Sequence, residues 1–593
     1  MPTAKAPSPS WTVVSTYIDH IRRVNPYLNI IVFECFDEAM EAAVAADATY
    51  AAWRAAVARH PRGGGRPPPP PSWLLGVPCT IKECMQCRGC PNTSGQPFRE
   101  HVISTTDSPV VKNFRAAGAI ILGVTNTSEL CMWYESSNYV FGISCNPFDT
   151  RCLVGGSSGG EGAAAGAAFS AFSLGSDIGG SIRMPAFFNG VYGHKASPHY
   201  ISNRGQHPGA RASANHYMAT GPISRFVEDI IPLCKVAAEG GFGMDINEFP
   251  PCSPLDQIVD LRQIAAAGGA APRRLRVYAI EDFGIPGIHV SESERRAVHK
   301  AAEALRTHYM ADVTYINVRD TARCTGGALP DVFKPFAKIL SMWASALTSD
   351  PTEAKFCDLM AEGHPVDPAV GYARVNWFQE LFRWMGGRSR HTLPAITLCI
   401  METLELLLPS WMTISKMGII IPFKEQLETL LHEDGILLCP TFPAPAPRHH
   451  YCFWNPLQFQ YTAAFNVLRL PATAVPVWLT ADEARPEADP IRYSSHQHHH
   501  QHHHHHHNHN HHHHHHHTRE EEPRSVLERE DRAVTIEDER RFDLPPDFHL
   551  PKGIQIVSAS FQDELCVSTA VALRELLGGY RYPPWAQLEG VDY

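Results

Sequence analysis

The sequence predicts an α/β protein whose central sheet is mixed or largely parallel. Two observations carry that expectation: short apolar runs of strand character alternate with amphipathic helical stretches, and the composition is globular, 44% hydrophobic and 19% charged over 593 residues. Taken in order, residues 12–25 and 37–60 repeat apolar side chains every three to four positions, as helices do. Residues 60–72 read HPRGGGRPPPPPS, a stretch that packs no core and serves as an extended, exposed connection. Strand-like runs follow at 76–81, 119–124, 276–280 and 436–439, interleaved with helical patterns at 110–117, 161–169, 291–308 and 425–432. Composition shifts over 481–550, where the 22 residues 496–517 include 18 histidines. With no periodic apolar face this segment is expected to be a disordered insertion; unselective metal buffering by its imidazoles is the alternative. From 551 the sequence GIQIVSASFQDELCVSTAVALREL predicts a strand and then a helix. The organisation expected is therefore an N-terminal helical segment, 1–25, and a main domain over 26–480 and 551–593, interrupted at 481–550.

Charge and cysteine usage narrow the function. A net charge of -10, with no basic arm, argues against a nucleic-acid partner that needs its phosphates neutralised. Sixteen cysteines in so long a chain, set singly in apolar runs such as Cys399 and Cys439, read as reduced core thiols in a reducing compartment. The N-terminus has no apolar secretory core. The apolar run 395–408 is broken by Glu402 and Glu405, which predicts a buried or amphipathic helix instead of a membrane span.

The chemistry is concentrated in two glycine nests. Residues 155–160 read GGSSGG ahead of an alanine-rich helical run, a turn that feeds a helix N-terminus. A phosphate loop would place a lysine there and has none. The pattern G-x-S-x-G around Ser158 also fits a nucleophile elbow served by a histidine, though three fixed points make a weak signal. The second nest, SDIGGSIR at 176–183, leaves the backbone N–H groups of Ile178, Gly179, Gly180 and Ser181 free to converge on a developing oxyanion; acyl transfer needs such donors, each worth about 3 kcal/mol. Ser181 is then the nucleophile. Asp177 and Arg183 flank it with opposite charges and are expected to hold the turn as an ion pair.

A serine hydroxyl needs a base. Lys82 closes the apolar run 76–81, and a lysine at the end of a buried strand either snorkels to solvent or is a desolvated amine. An ordinary lysine resists deprotonation at pH 7 by about 4.6 kcal/mol; burial lowers that barrier.

The motifs in series, GVPCTIKE (76–83), GGSSGGEGA (155–163), GSDIGGSIRMPA (175–186) and GHKAS (193–197), resemble the amidase signature family. TNTSELCMWYESSN (125–138) and GPISRFVEDI (221–230) are most similar to its fatty-acid amide hydrolases. The similarity is dense over 26–234, thins through the middle, and returns at 461–478 and 553–579. It implies one large α/β domain with a mixed central sheet surrounded by helices. It makes Lys82 the base, Ser157 the relaying hydroxyl and Ser181 the acylated nucleophile, with Ser158 beside them and a cis peptide between Ser157 and Ser158. Met132, Trp133 and Tyr134 would approach the acyl chain, and residues 332–347 would form a second channel wall or a membrane-facing helix. The implied reaction is hydrolysis of fatty-acid amides such as N-acylethanolamines and primary amides, without a cofactor. A broader small-amide amidase or esterase is the alternative, as is the family's ammonia-releasing subunit. The expected partner is a small lipid amide, with peripheral membrane contact and a homodimer left open and a cytoplasmic location expected.

Several features depart from the family pattern. Cys84, Cys87 and Cys90 imitate an iron–sulfur spacing, but the fourth ligand position holds Ser94, so free thiols in a loop are expected, with no metal. Val154 stands where much of the family has proline. An apolar N-terminal anchor like that of membrane-bound relatives is not expected, and the polyhistidine and polyproline tracts are foreign to the family.

Overall fold

The computed structural model describes residues 9–60, 67–209, 214–239, 259–262, 264, 273–347, 356–361, 375–405, 410–480, 483, 550–583 and 585. The histidine-rich segment and most of 481–549 lie outside them. The eleven strands of the central sheet are, in chain order, β1 Ile31–Glu34, β2 Pro78–Lys82, β3 Ile120–Thr125, β4 Phe172–Asp177, β5 Tyr192–Lys195, β6 Ala219–Ser224, β7 Arg276–Asp282, β8 Asp312–Asn317, β9 Gly435–Pro440, β10 Ala472–Val477 and β11 Lys552–Val557. Their spatial order is β1-β3-β2-β4-β6-β5-β10-β11-β9-β7-β8. The sheet is mixed. β2 runs parallel to β3 and β4, and β7 runs parallel to β8 and β9, while every pairing between these two groups is antiparallel.

Local sequence accounts for the helices. Pro109–Ala116 begins with the Ser108 side chain accepting from Val111 N and with Pro109 at the first helical position. Glu292–Tyr309 is capped by Ser291, which accepts from Glu294 N, and carries Arg306 and His308 in its last turn. The first helix, Pro9–Leu28, runs through the expected boundary at residue 25 and buries Val14, Ile18, Ile21 and Leu28. The predicted helix at 425–432 is the end of a longer one, Ser410–Leu431. Among the described residues no helix is long and apolar enough to cross a membrane; Leu393–Glu405 instead buries Ala395, Ile396 and Cys399.

β11 enters between β10 and β9, so the last part of the chain completes the sheet. Val477 and Lys552 face each other in register across β10 and β11. The segment between them therefore joins two ends already held side by side, and its length leaves the register unaffected.

Cys399 corrects one expectation. It is disulfide-bonded to Cys357, because Phe356–Met360 and Leu393–Glu405 bring the two Cα atoms to 5.2 Å. Cys439 is a free buried thiol, as expected.

Candidate active site

Two parallel strands place the first residues. Ile81 of β2 lies in register with Leu174 of β4, so Lys82 and the pair Ser176–Asp177 leave the sheet at the same edge, beyond the carboxyl ends where α/β sheets bind ligands. The GGSSGG turn delivers the helix Gly159–Gly166 onto this edge. Buried Glu161 pins it there, accepting from Thr80 Oγ1 at 2.8 Å, Thr125 Oγ1 at 2.5 Å and Leu174 N at 3.2 Å, one group from each of β2, β3 and β4. Burial pushes its carboxyl up to about 7 against those hydrogen bonds.

Lys82 is fully buried (0% exposed). Its Nζ donates to Ser157 Oγ at 2.7 Å and to Ser176 Oγ at 3.2 Å. Ser157 and Ser181 both open onto one cavity. Ser158 is occupied otherwise: its Oγ donates to Ser176 O at 3.1 Å and accepts from Ser176 N at 3.3 Å, and its N–H donates to Ser181 O at 3.1 Å. Ser158 thus ties the two nests together through backbone groups, which leaves the histidine-served elbow without its hydroxyl.

The cis peptide lies one bond earlier than expected, between Gly156 and Ser157. The Ser157–Ser158 link is trans, and the Ser157 carbonyl accepts from Thr127 Oγ1 at 2.8 Å and Ser136 Oγ at 3.2 Å. Gly156 is required for space, since a Cβ there would stand 2.5 Å from Trp133 O.

Asp177 and Arg183 form the expected pair, fully buried and bidentate: Nε to Oδ2 and Nη2 to Oδ1, both at 3.0 Å. Arg183 also donates to Gln555 Oε1 at 2.9 Å and Asn466 Oδ1 at 2.7 Å. Burial alone would raise the Asp177 carboxyl, but the Arg183 charge and hydrogen bonds outweigh it and hold the group down at about 2. Asp177 has a second task. Its Oδ1 accepts from Gly180 N at 2.8 Å and its Oδ2 from Ile182 N at 3.1 Å. The Gly180 N–H therefore points at this carboxylate; of the four N–H groups expected to face an oxyanion, those of Ile178, Gly179 and Ser181 are not directed to Asp177. Gly180 is still needed in the turn: its φ is +123°, and a Cβ would lie 2.0 Å from Thr462 Oγ1. Replacing Arg183 with methionine is expected to destabilise the protein by about 3–5 kcal/mol, since it leaves a buried carboxylate without its counter-charge; urea unfolding of variant and parent measures this.

The cavity is about 970 Å³ and mainly apolar. Met132, Trp133 and Tyr134 line it, with Trp133 Nε1 donating to Cys452 Sγ at 3.0 Å and the Tyr134 hydroxyl donating to Asn455 O. The opposite side is the helix Ile339–Leu347. Its Leu340, Trp343, Ala344 and Leu347 face the cavity at helical spacing, while Ile339, Met342 and Ala346 point into the core. Residues 332–347 thus supply a cavity wall. Trp343 Nε1 donates to Ile178 O at 3.0 Å, joining that wall to the second glycine nest.

Sequence reasoning missed Ser176, Glu161, Asn466 and Gln555. Ser176 stands beside Asp177 in the second nest, a signal within reach; Asn466 and Gln555 carry none, being polar residues in otherwise ordinary apolar stretches. Cys84, Cys87 and Cys90 are free thiols in the loop that follows β2, as expected, and all three are buried, with Cys90 Sγ 3.4 Å from Cys35 Sγ and 3.5 Å from Cys87 Sγ. The loop folds inward, so these free thiols pack among core side chains. Among the described residues no group of three or more His, Cys, Asp or Glu could hold a metal ion.

The profile of the family described as Amidase matches residues 12–329, more than half of the chain. Fatty-acid amide hydrolase 2-A of Danio rerio is 33% identical over 96% of this chain and 86% of its own, and fatty-acid amide hydrolase 2 of Homo sapiens is 37% identical over 79% of this chain and 80% of its own. A solved structure of fatty acid amide hydrolase superposes with a TM-score of 0.60 at 18% identity, covering 96% of this chain and 82% of that one. With its mixed sheet, its two glycine nests and a profile match across both, the chain belongs to the amidase signature family and is an amidohydrolase.

Proposed function

We propose that the protein hydrolyses the amide bond of fatty-acid amides, N-acylethanolamines and primary fatty amides, through an acyl-enzyme on Ser181. The observation that carries this reading is a fully buried lysine amine 2.7 Å from Ser157 Oγ, with Ser157 and Ser181 opening onto the same apolar cavity. In its uncharged form Lys82 takes the proton of Ser157 as Ser157 takes that of Ser181, and Ser181 Oγ attacks the carbonyl carbon. The oxyanion that forms is met by the N–H groups of Ile178, Gly179 and Ser181. The proton then returns through Ser157 to the departing nitrogen, a step amides require because their nitrogen leaves poorly. Water repeats the sequence on the ester and releases the acid.

The cavity supports a long acyl group over a short one. Met132, Trp133, Trp343, Leu347 and Phe459 present hydrocarbon with few polar groups among them, as a lipid-binding site does. The relatives named for fatty-acid amide hydrolysis point the same way. Palmitamide is expected to show a kcat/KM at least ~100-fold above butyramide. That factor corresponds to about 3 kcal/mol, which four buried methylenes supply at about 0.8 kcal/mol each. Equal values for the two amides would favour a broad small-amide amidase, and hydrolysis of neither would sink both readings.

A further inference from the structure

Two thiols line this cavity and take no part in the hydrolysis. Cys84 lies two residues beyond Lys82, and Cys131 ends the turn Glu129–Cys131. Cys84 is buried, Cys131 is partly exposed, and the two are hydrogen-bonded to each other. Cys131 Sγ also sits 3.4 Å from Thr127 Oγ1, whose proton is directed to Ser157 O.

The turn that presents Cys131 is held from several sides. Leu130 N donates to Ser94 O at 2.8 Å, and the Glu129 carboxylate meets His391 Nδ1 at 2.7 Å and accepts from Thr392 N at 2.8 Å. Leu130 and Cys131 are both left-handed, with φ of 53° and 59°. L-residues disfavour that conformation by about 1–2 kcal/mol each, so the surrounding contacts, not local preference, aim the thiol.

The hydrogen bond from Cys84 is the main influence pulling the Cys131 thiol down to about 5; burial opposes it, and Lys82, Thr127 and Ser94 add to the lowering. Burial, with Cys131 beside it, drives Cys84 well above the usual thiol range. Cys131, the more exposed of the two on the cavity wall, is the thiol that a molecule in the cavity meets first.

We infer that the Cys84–Cys131 pair is a modification site for soft electrophiles carried on an apolar chain, with α,β-unsaturated carbonyl compounds as the chemical class. The cavity takes up the chain, and Cys131 Sγ adds to the β-carbon. A carbon–sulfur bond forms, the π pair of the double bond moves to the α-carbon, and that carbon takes up the proton the thiol has given. The elements of S–H are added across the double bond; nothing is oxidised or reduced. The adduct lies beside Met132 in the same cavity as Ser181, so amide hydrolysis stops. This last consequence rests on the cavity being the acyl site; formation of the adduct does not.

The test treats the full chain at pH 7 with two aldehydes of identical reacting group, 2-butenal and 2-nonenal, and locates adducts by peptide mass spectrometry while amide turnover is followed in parallel. Cys131 is expected to be modified before any other cysteine, at least ~10-fold faster by 2-nonenal than by 2-butenal, relative to glutathione under the same conditions. Cys84→Ala is expected to slow the reaction ~10-fold. First modification at another cysteine, or a rate ratio equal to that of glutathione, overturns the site. An adduct on Cys131 with turnover intact overturns the blocking consequence and counts against the acyl-site reading while the modification site stands. The two unmutated-protein measurements decide the question even where a variant fails to fold.

Discussion

Replacing Ser181 with alanine is expected to lower amide hydrolysis by about 10⁶-fold, the scale seen when the nucleophile of a serine hydrolase is removed, and to abolish labelling by a fluorophosphonate. The expectation follows from position. Ser181 and Ser157 open onto the same cavity, and in the proposed mechanism the Ser181 N–H is one of the oxyanion donors. Ser158→Ala is the informative control. Its hydroxyl is bound to the backbone of Ser176 on both its donor and acceptor sides, so that variant is expected to lose stability, by about 1–3 kcal/mol for the backbone groups left unpaired, and to keep its covalent label on Ser181. Peptide mapping of the fluorophosphonate adduct decides between them: a label on Ser158 that survives Ser181→Ala would overturn the assignment.

Lys82→Met is expected to reduce kcat/KM on amides by about 10⁴-fold or more, and on the matched methyl ester by about 10²-fold less than that. In the proposed mechanism the amine serves twice, withdrawing a proton on the way to the acyl-enzyme and returning it to the leaving group, and each proton transfer is worth about 10²–10⁴-fold. An ester departs as an alkoxide and needs the second transfer far less. Methionine fills most of the volume and removes the donor, leaving Ser157 Oγ and Ser176 Oγ without the contacts at 2.7 and 3.2 Å. Urea unfolding of the variant separates lost chemistry from lost fold. If amide and ester rates fall by the same factor, Lys82 is not the acid that protonates the leaving nitrogen.

The sequence by itself determined the fold class and the two nests, because each is written in neighbouring positions; the three residues proposed as catalytic were marked by those motifs together with the family they resemble. Helical spacing over residues 12–25 and 291–308 is a local pattern, and so is a lysine that closes an apolar strand or glycines that bracket a serine. Strands were legible where a branched apolar run is bounded by turn residues, as in β3, β7 and β9. They were not legible in β4, β6 and β10, which are buried along their whole length and carry glycine, serine or proline, so that neither alternation nor a continuous aliphatic run marks them. Tertiary structure alone decided that Gly180 turns its N–H to Asp177, that Asn466 and Gln555 complete the Arg183 cluster, that Trp343 carries a cavity wall to Ile178, and that Cys357 meets Cys399. Those partners lie tens to hundreds of positions apart in the chain. Their pairing depends on where the sheet order sets their elements, and no periodicity in the neighbouring residues records a contact made across that distance.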